Sequence, residues 1–545
     1  MAKFSNVTVA SKPRLVARGP IVVRKSSKAI PTHEGAEGLT LSAKSELYML
    51  AVSNMVGEPT FYESPGDRDS RFVTLVHKVA LKDPAWMAEF VPFLRRECNM
   101  RSAALVVAME AAKAILSARA ADPSLEGPNV RQMVSSGLDR PDEPAEALGY
   151  WLSHHGRPIP PAIKRGIADA AVRLYDEFSV LKYDGESHSV RMGDVVNLTH
   201  PRPKGDQSTL FRHLLERRHG HFEPTPENLQ VLEAKGYPRL AQAHRLNLIP
   251  QGERREWLLS QEDPGSVLAE AGFTWERMGG WIDGGMDAAA WEAIIPQMGY
   301  MARLRNIRNF EQAGVSPGIL KEIADYLADP ERVAKSRQFP YRFYSAWKAS
   351  GSIVFGPALE AALVASLNNI PRLPGKTLVM IDTSGSMTWG SVSARSSMRP
   401  VDLAALFGCA INARNAGNCT VVQYATSQKA LHLPASVLRG VESLNHQIGS
   451  VGSGTNTWVC IRTALEDYGP HDRIIVLTDM QDHPAIKAKH LDYAGPIYVW
   501  DLSGAGRANL DTNQPGRYLF AGFTDQCFKM IPLLEAGFDQ SWPWE

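Results

Sequence analysis

The residues with the clearest chemistry lie in Thr377-Leu378-Val379-Met380-Ile381-Asp382-Thr383-Ser384-Gly385-Ser386-Met387. A short run rich in β-branched and apolar residues reads as a buried parallel strand, and it ends in a carboxylate, hydroxyls and a glycine. Parallel sheets present ligand groups at this carboxyl edge. Asp382, Ser384 and Ser386 alternate, so a bent loop can turn three oxygens toward one point while Gly385 lets the backbone approach closely. Hard oxygen donors suit Mg²⁺ or another hard divalent cation, which retains waters and open coordination positions. Two later segments fit the same site. Gly452-Ser453-Gly454-Thr455 carries a hydroxyl on a glycine-rich loop before a helix, and Ile474-Ile475-Val476-Leu477-Thr478-Asp479 is a second buried strand ending in a carboxylate. Alone, Asp-Thr-Ser-Gly also reads as a turn that caps a helix; Thr455 and Asp479, following in order, favour a metal site. An aspartyl-phosphate hydrolase needs a second acid two positions after its nucleophile, where this chain has Ser384, so Asp382 is not read as a nucleophile.

The elements that must hold these residues alternate between strand and helix. Strands are predicted at 376–382, 419–424, 473–478 and 496–501, and helices at 401–416, 456–468 and 484–491. Such alternation gives a mainly parallel sheet covered on both faces. It follows Pro371-Arg372-Leu373-Pro374-Gly375, a linker by composition. The stretch contains no paired general acid and base, no nucleophile with a placed histidine and no phosphate-binding Gly-Lys-Ser/Thr loop, so no catalysis is predicted.

Upstream the pattern differs. Residues 1–38 form a basic flexible arm: seven Lys or Arg precede Glu34, with no acid among them and no helical period. From 39 to 368 apolar residues recur three and four apart, predicting helices at 45–55, 71–81, 86–97, 102–120, 144–153 and 162–178. Helices joined by short breaks suggest stacked antiparallel pairs, an α-solenoid that leaves one long surface for a partner.

With 545 residues the chain is too long for one core. Its net charge of +1 hides a near balance in both large parts, 38 basic against 43 acidic residues over 34–368 and 14 against 15 over 369–545, so nucleic-acid binding has to come from local patches. No apolar run approaches the ~18 residues of a membrane span and the first residues lack a signal-peptide core, which predicts a cytoplasmic protein with no membrane partner. Cys98, Cys409, Cys419, Cys460 and Cys527 are dispersed and without Cys-x-x-Cys spacing, so reduced buried thiols are expected.

Several segments carry a family resemblance. Glu46-Leu47-Tyr48-Met49-Leu50-Ala51-Val52-Ser53-Asn54-Met55-Val56-Gly57-Glu58 with Phe61-Tyr62, then Asp142-Glu143-Pro144-Ala145-Glu146-Ala147-Leu148, Leu181-Lys182-Tyr183, Asn197-Leu198-Thr199-His200-Pro201 and Leu304-Arg305-Asn306-Ile307-Arg308 resemble successive motifs of the TROVE module. The Asp-x-Ser-x-Ser, Thr, Asp order resembles the metal-ion-dependent adhesion site (MIDAS) of von Willebrand factor A domains, which implies Asp382, Ser384, Ser386, Thr455 and Asp479 as ligands. This pairing, over 40–545, is similar to the Ro autoantigen family and its bacterial and phage relatives. The resemblance implies a multidomain α plus α/β protein: a TROVE solenoid of HEAT-like repeats (39–368) closed into a ring, joined by a Rossmann-like von Willebrand factor A domain (369–545). It implies a non-catalytic, monomeric RNA-binding protein with Y-like non-coding RNA on the outer surface and single-stranded ends of misfolded RNA in the central hole. Bacterial members are also linked through the Y RNA to an exoribonuclease such as polynucleotide phosphorylase.

Lys182 and His200 match family positions implicated in Y RNA contact, while Asp184-Gly185-Glu186 stands where the family has an arginine, with Arg191 as a substitute. The same stretch offers Arg202, Lys204, Arg212, Arg217 and Arg218, along with five acids that also fit solvated helix faces. Arg305 and Arg308 share a helical face. Arg337 and Arg342 lie among Phe339, Tyr341, Phe343, Tyr344 and Trp347, a mixture suited either to single strands or to packing between domains. The alternative function is a protein-interaction adaptor whose metal site recruits an acidic partner.

Overall fold

The computed structural model describes residues 30–31, 37–53, 63–350, 352–367, 370–392, 397–483, 491–504, 506–522, 528, 530–536, 542 and 544. Most of the basic arm, Asn54 to Glu58, Phe61-Tyr62 and nearly all of the helix expected at 484–491 lie outside them.

From Ala43 to Ser366 the described chain is helices and turns. Their starts are written locally. Proline stands in the first turn of Pro65–Lys82, Pro84–Arg96, Pro226–Ala234 and Pro264–Glu270, where its missing N–H costs nothing, and Ser64, Asp83, Thr225 and Asp263 cap the backbone just ahead. Apolar spacing located Arg101–Ala121 and Glu143–His154 within a residue or so. The single helix expected over 162–178 is instead two, Pro161–Leu174 and Glu177–Tyr183. A capping box breaks it: Asp176 accepts from Ser179 N at 2.7 Å while Ser179 Oγ accepts from Asp176 N at 2.8 Å.

The strands are β1 (Ile30–Pro31), β2 (Glu37–Thr40), β3 (Thr377–Asp382), β4 (Cys419–Tyr424), β5 (Gln428–Ala430), β6 (Arg473–Thr478), β7 (Ile497–Asp501), β8 (Arg507–Ala508) and β9 (Arg517–Ala521). Six form a sheet in the order β5-β4-β3-β6-β7-β9, parallel except for the β4–β5 hairpin. β3, β4, β6 and β7 were legible as apolar runs; β5 and β9 were not. β3 lies at the centre and is buried along its whole length. Helix Pro400–Arg414 packs directly on it, because Gly408 has no side chain: a Cβ there would stand 2.4 Å from Ile381 Cδ1.

Alternation along the strands assigns the two faces to different layers. Leu378, Met380, Val422, Ile474, Val476, Ile497 and Val499 belong to a hydrophobic cluster continuous with the first helices. Val379, Ile381, Val421, Ile475, Leu477, Tyr498 and Trp500 belong to another that takes in the helices from about 243 to 363.

Both ends of the helical array contact this part of the chain. At the first end β2 pairs antiparallel with β8, the buried Arg68 donates to Ser503 O at 2.5 Å, and Arg71 donates to Gly504 O at 3.1 Å. Trp542 and Trp544 pack edge-on against Trp86 at 5.0 and 5.5 Å between ring centres. At the other end Tyr344 Oη donates to Glu442 at 2.9 Å, and Glu360 accepts from Val437 N at 2.8 Å and Leu438 N at 3.2 Å, placing a carboxylate at the positive end of helix Val437–Asn445.

Within the array, Glu110 ties three helices together. It is 2% exposed and accepts from His77 Nε2 at 2.7 Å, Tyr150 Oη at 2.7 Å and His155 Nε2 at 2.9 Å. Burial pushes its pKa up, but the three donors outweigh that and hold it below the usual glutamate value. Its contribution to stability is therefore present above the unfolded carboxyl pKa and lost as pH falls through the lower folded value. Replacing Glu110 with Ala leaves three donors without their acceptor and is expected to cost about 2–3 kcal/mol in urea unfolding. Glu110→Gln should lose stability less steeply than the wild type below about pH 4.5.

Candidate functional site

At the carboxyl edge of the sheet three segments converge. β3 ends at Asp382, β6 leads directly into Asp479, and the loop carrying Thr455 is tied to the first by Gly385 N donating to Ser453 O at 2.9 Å. That loop is tied to the second by His483 N donating to Thr455 O at 2.8 Å. Asp382, Ser384, Ser386, Thr455 and Asp479 are all buried, none more than 8% exposed. Asp382 accepts from Ser384 N at 2.9 Å and from Thr478 Oγ1 at 2.6 Å. Ser384 Oγ lies 3.3 Å from Ser386 Oγ, and the Ser386 hydroxyl donates to Asp479.

The electrostatics of this edge disfavour two ionised carboxylates side by side. Burial pushes Asp382 up to about 6, with the nearby Asp482 charge acting in the same direction. Asp479 is raised well above the ordinary range by burial and then by Asp382. The neighbouring charges acting on these two carboxylates are other carboxylates. Among the described residues no three His, Cys, Asp or Glu side chains form a metal cage, so the donors available here are two carboxylates with hydroxyls, the mixture a hard cation accepts. Thr478 and Asp482 are additions that the motif did not name. Thr478 orients Asp382, and Asp482 accepts from Thr457 N at 3.1 Å and from Asn509 at 2.7 Å. The hydroxyl one residue before Asp479 was the available signal for the first.

The basic candidates separate into exposed and structural groups. Lys182, His200, Arg202 and Lys204 are exposed. The Lys182 ammonium rests against the rings of Phe178 and Tyr183 at 5.7 and 5.2 Å. His200 occupies the left-handed region at φ 51° as it ends helix Met192–Thr199, a conformation uncommon outside glycine. Arg212 is exposed beside Glu216, and Arg218 is paired with Asp194 at 2.7 Å. Arg191 does not reach the surface. It is 7% exposed, and its guanidinium pairs at 2.9 Å with the buried Asp184, which also holds Arg217 at 3.0 Å. The Asp-Gly-Glu departure at 184–186 thus brings a carboxylate that draws two arginines inward.

Arg305 and Arg308 are both exposed on helix Tyr300–Ala313, with Arg305 against Trp275 at 5.7 Å. Around Arg337 and Arg342 the aromatics answer to packing: Tyr341, Phe343 and Tyr344 are fully buried. Arg342 lies against Tyr341 at 5.0 Å, while the exposed Arg337 accepts through its carbonyl from Asn99 at 3.2 Å. Removing Asp184 strands two largely buried guanidinium groups, so Asp184→Ala should lower stability by about 3–5 kcal/mol in denaturant melts. Arg202→Ala, on the exposed turn, should stay within about 0.5 kcal/mol of wild type.

A TROVE domain model matches residues 270–355, the helices around Arg305, Arg308 and the buried aromatics. The fold is similar to the crystal structure of the Deinococcus radiodurans RO (RSR) protein, with a TM-score of 0.58 and 15% identity over 90% of this chain and 99% of that one. A TROVE domain model thus matches one part of the helical array, and the fold of the chain is like that of a Ro protein.

Proposed function

We propose that this chain is a non-catalytic RNA-binding protein of the Ro type, which holds a small Y-like RNA on its outer face and takes single-stranded ends of misfolded RNA into a central opening. The observation that carries the reading is the TROVE match within a Ro-like fold that leaves Lys182, His200, Arg202 and Lys204 exposed over one short stretch. Arginine and lysine neutralise phosphates, and a neutral histidine can donate to phosphate or stack on a base. Closure of the helical array into a ring is part of this proposal. It is supported by the contacts that both ends make with the sheet-bearing part, through Arg68 and β2 at one and Tyr344 and Glu360 at the other.

The sheet-bearing part is proposed to be a von Willebrand factor A domain with a Mg²⁺ or similar cation held by Asp382, Ser384, Ser386, Thr455 and Asp479. The two mutually repelling carboxylates and adjoining hydroxyls support it. The cation would supply charge neutralisation and an open position for an acidic partner group, with no chemical step required of it.

Two measurements test these assignments. RNA co-purifying with the wild type should be dominated by one small structured RNA, and that RNA should be lost from Lys182→Ala/His200→Ala. No enriched RNA would reject the Ro-type role, and an unchanged RNA set in the variant would reject this surface. For the metal, Mg²⁺ in excess over chelator at about 100 times its Kd should add about 2.7 kcal/mol to wild-type stability. Asp479→Asn should gain nothing from Mg²⁺ and, in chelator, should melt no lower than wild type because one of two repelling charges is gone. Equal Mg²⁺ responses in both proteins would remove Asp479 from the site.

A further inference from the structure

A second group of side chains, apart from the carboxylate edge, gathers more positive than negative charge. His213, on helix Gln207–Arg218, is 2% exposed, and neither ring nitrogen has a hydrogen-bond partner. Leaving a buried polar group unmatched costs about 1–3 kcal/mol, and an ordered water or ion is one way such a group is satisfied. Its ring stands edge-on to Phe222 at 4.4 Å and to His244 at 5.2 Å, and His244 in turn lies 4.6 Å from Phe222.

The charges around these rings are positive. Arg217, one turn along from His213, shares the single Asp184 carboxylate with Arg191. Arg277, on helix Trp275–Trp281, lies over Phe273 at 4.7 Å and has no ion pair among the described residues. Burial, then His244 and Arg217, pushes His213 down to about 3; burial, then Arg217 and Arg277, pushes His244 down to about 4. Burial, followed by Arg217, lowers Arg277 to about 10. Glu186 acts on Arg217 from beyond Asp184, but no carboxylate acts on His213, His244 or Arg277.

We propose that His213, His244, Arg217 and Arg277 form a binding site for a phosphate group. Two imidazoles in ring contact, a guanidinium one turn from His213 and a second whose charge acts on His244 and Arg217 suit an anion with several acceptor oxygens. The anion would supply an acceptor for the one N–H of neutral His213 and offset the guanidinium charge that Asp184 and Glu186 leave uncompensated. The same chemistry fits a phosphate of an RNA strand and a free phosphate ion, and the site does not depend on the Ro-type reading.

The test uses the full-length protein stripped of RNA. Calorimetric titration with inorganic phosphate at constant ionic strength, made up with chloride, is compared between wild type and two variants, Arg277→Gln and His244→Gln. Both positions are half-buried and pair with no carboxylate, and melting curves establish that each variant folds. Saturable binding by wild type, weakened at least tenfold in Arg277→Gln and also weakened in His244→Gln, is the expected result. Absence of phosphate binding in the wild type, or binding unchanged in folded Arg277→Gln, overturns the site. A short single-stranded oligoribonucleotide then separates the sources. Competition with inorganic phosphate supports the site as a contact for the RNA backbone, and simultaneous binding supports it as a site for a free phosphate. If the co-purification experiment recovers no RNA while phosphate binding still depends on Arg277, the Ro-type reading fails and this site stands.

Discussion

Burial of a parallel sheet on both faces is the constraint on which the rest depends. A strand with water on one side can tolerate alternation of polar and apolar residues; β3, β6 and β7 cannot, and each is apolar between its ends and buried throughout. Because odd and even residues face opposite ways, one strand supplies two hydrophobic clusters, and the helical array is joined to both. Polar residues are excluded from the strand bodies and gather where the strands end. The concentration of carboxylates and hydroxyls at 382–386 and 478–482 is thus a consequence of the same burial that makes the strands apolar.

That edge gathers more negative charge than burial tolerates. Coulomb repulsion between Asp382 and Asp479 is weakly screened away from water, and hydroxyl donors from Ser384, Ser386 and Thr478 relieve only part of it. The helical array solves its own charge problem differently. Glu110 collects three donors, and Asp184 two arginines, so each buried carboxylate there is matched within the fold. The contrast between matched acids in the helices and mutually repelling acids at the sheet edge separates scaffold from candidate site more sharply than burial alone.

Legibility in the sequence followed the range of the interactions involved. The four main strands and the long helices could be read because hydrophobic period is a local property, and the residues at the strand ends followed from them. The break at Asp176 depends on two reciprocal hydrogen bonds within one turn, which apolar spacing does not register. Arg191 was expected to stand in for the family arginine missing at 184–186; its position was decided by Asp184, a tertiary pairing that charge counting cannot see. Likewise His244 and Arg277 lie far along the chain from the basic stretch that includes His213 and Arg217, and only the packing of separate helices brings them together.

The seam between the first helices and the end of the described chain bears on how the molecule is made. Trp86, on an early helix, is covered by Trp542 and Trp544, and β2 takes its outer hydrogen bonds from β8. During synthesis the early helices therefore emerge with an aromatic face that cannot be sealed until almost the whole sequence has followed. Contacts of such long sequence separation form slowly, and an uncovered apolar face is prone to association while it waits. The order of translation thus leaves two specific surfaces, the Trp86 face and the β2 edge, open to the cell's folding machinery for most of synthesis.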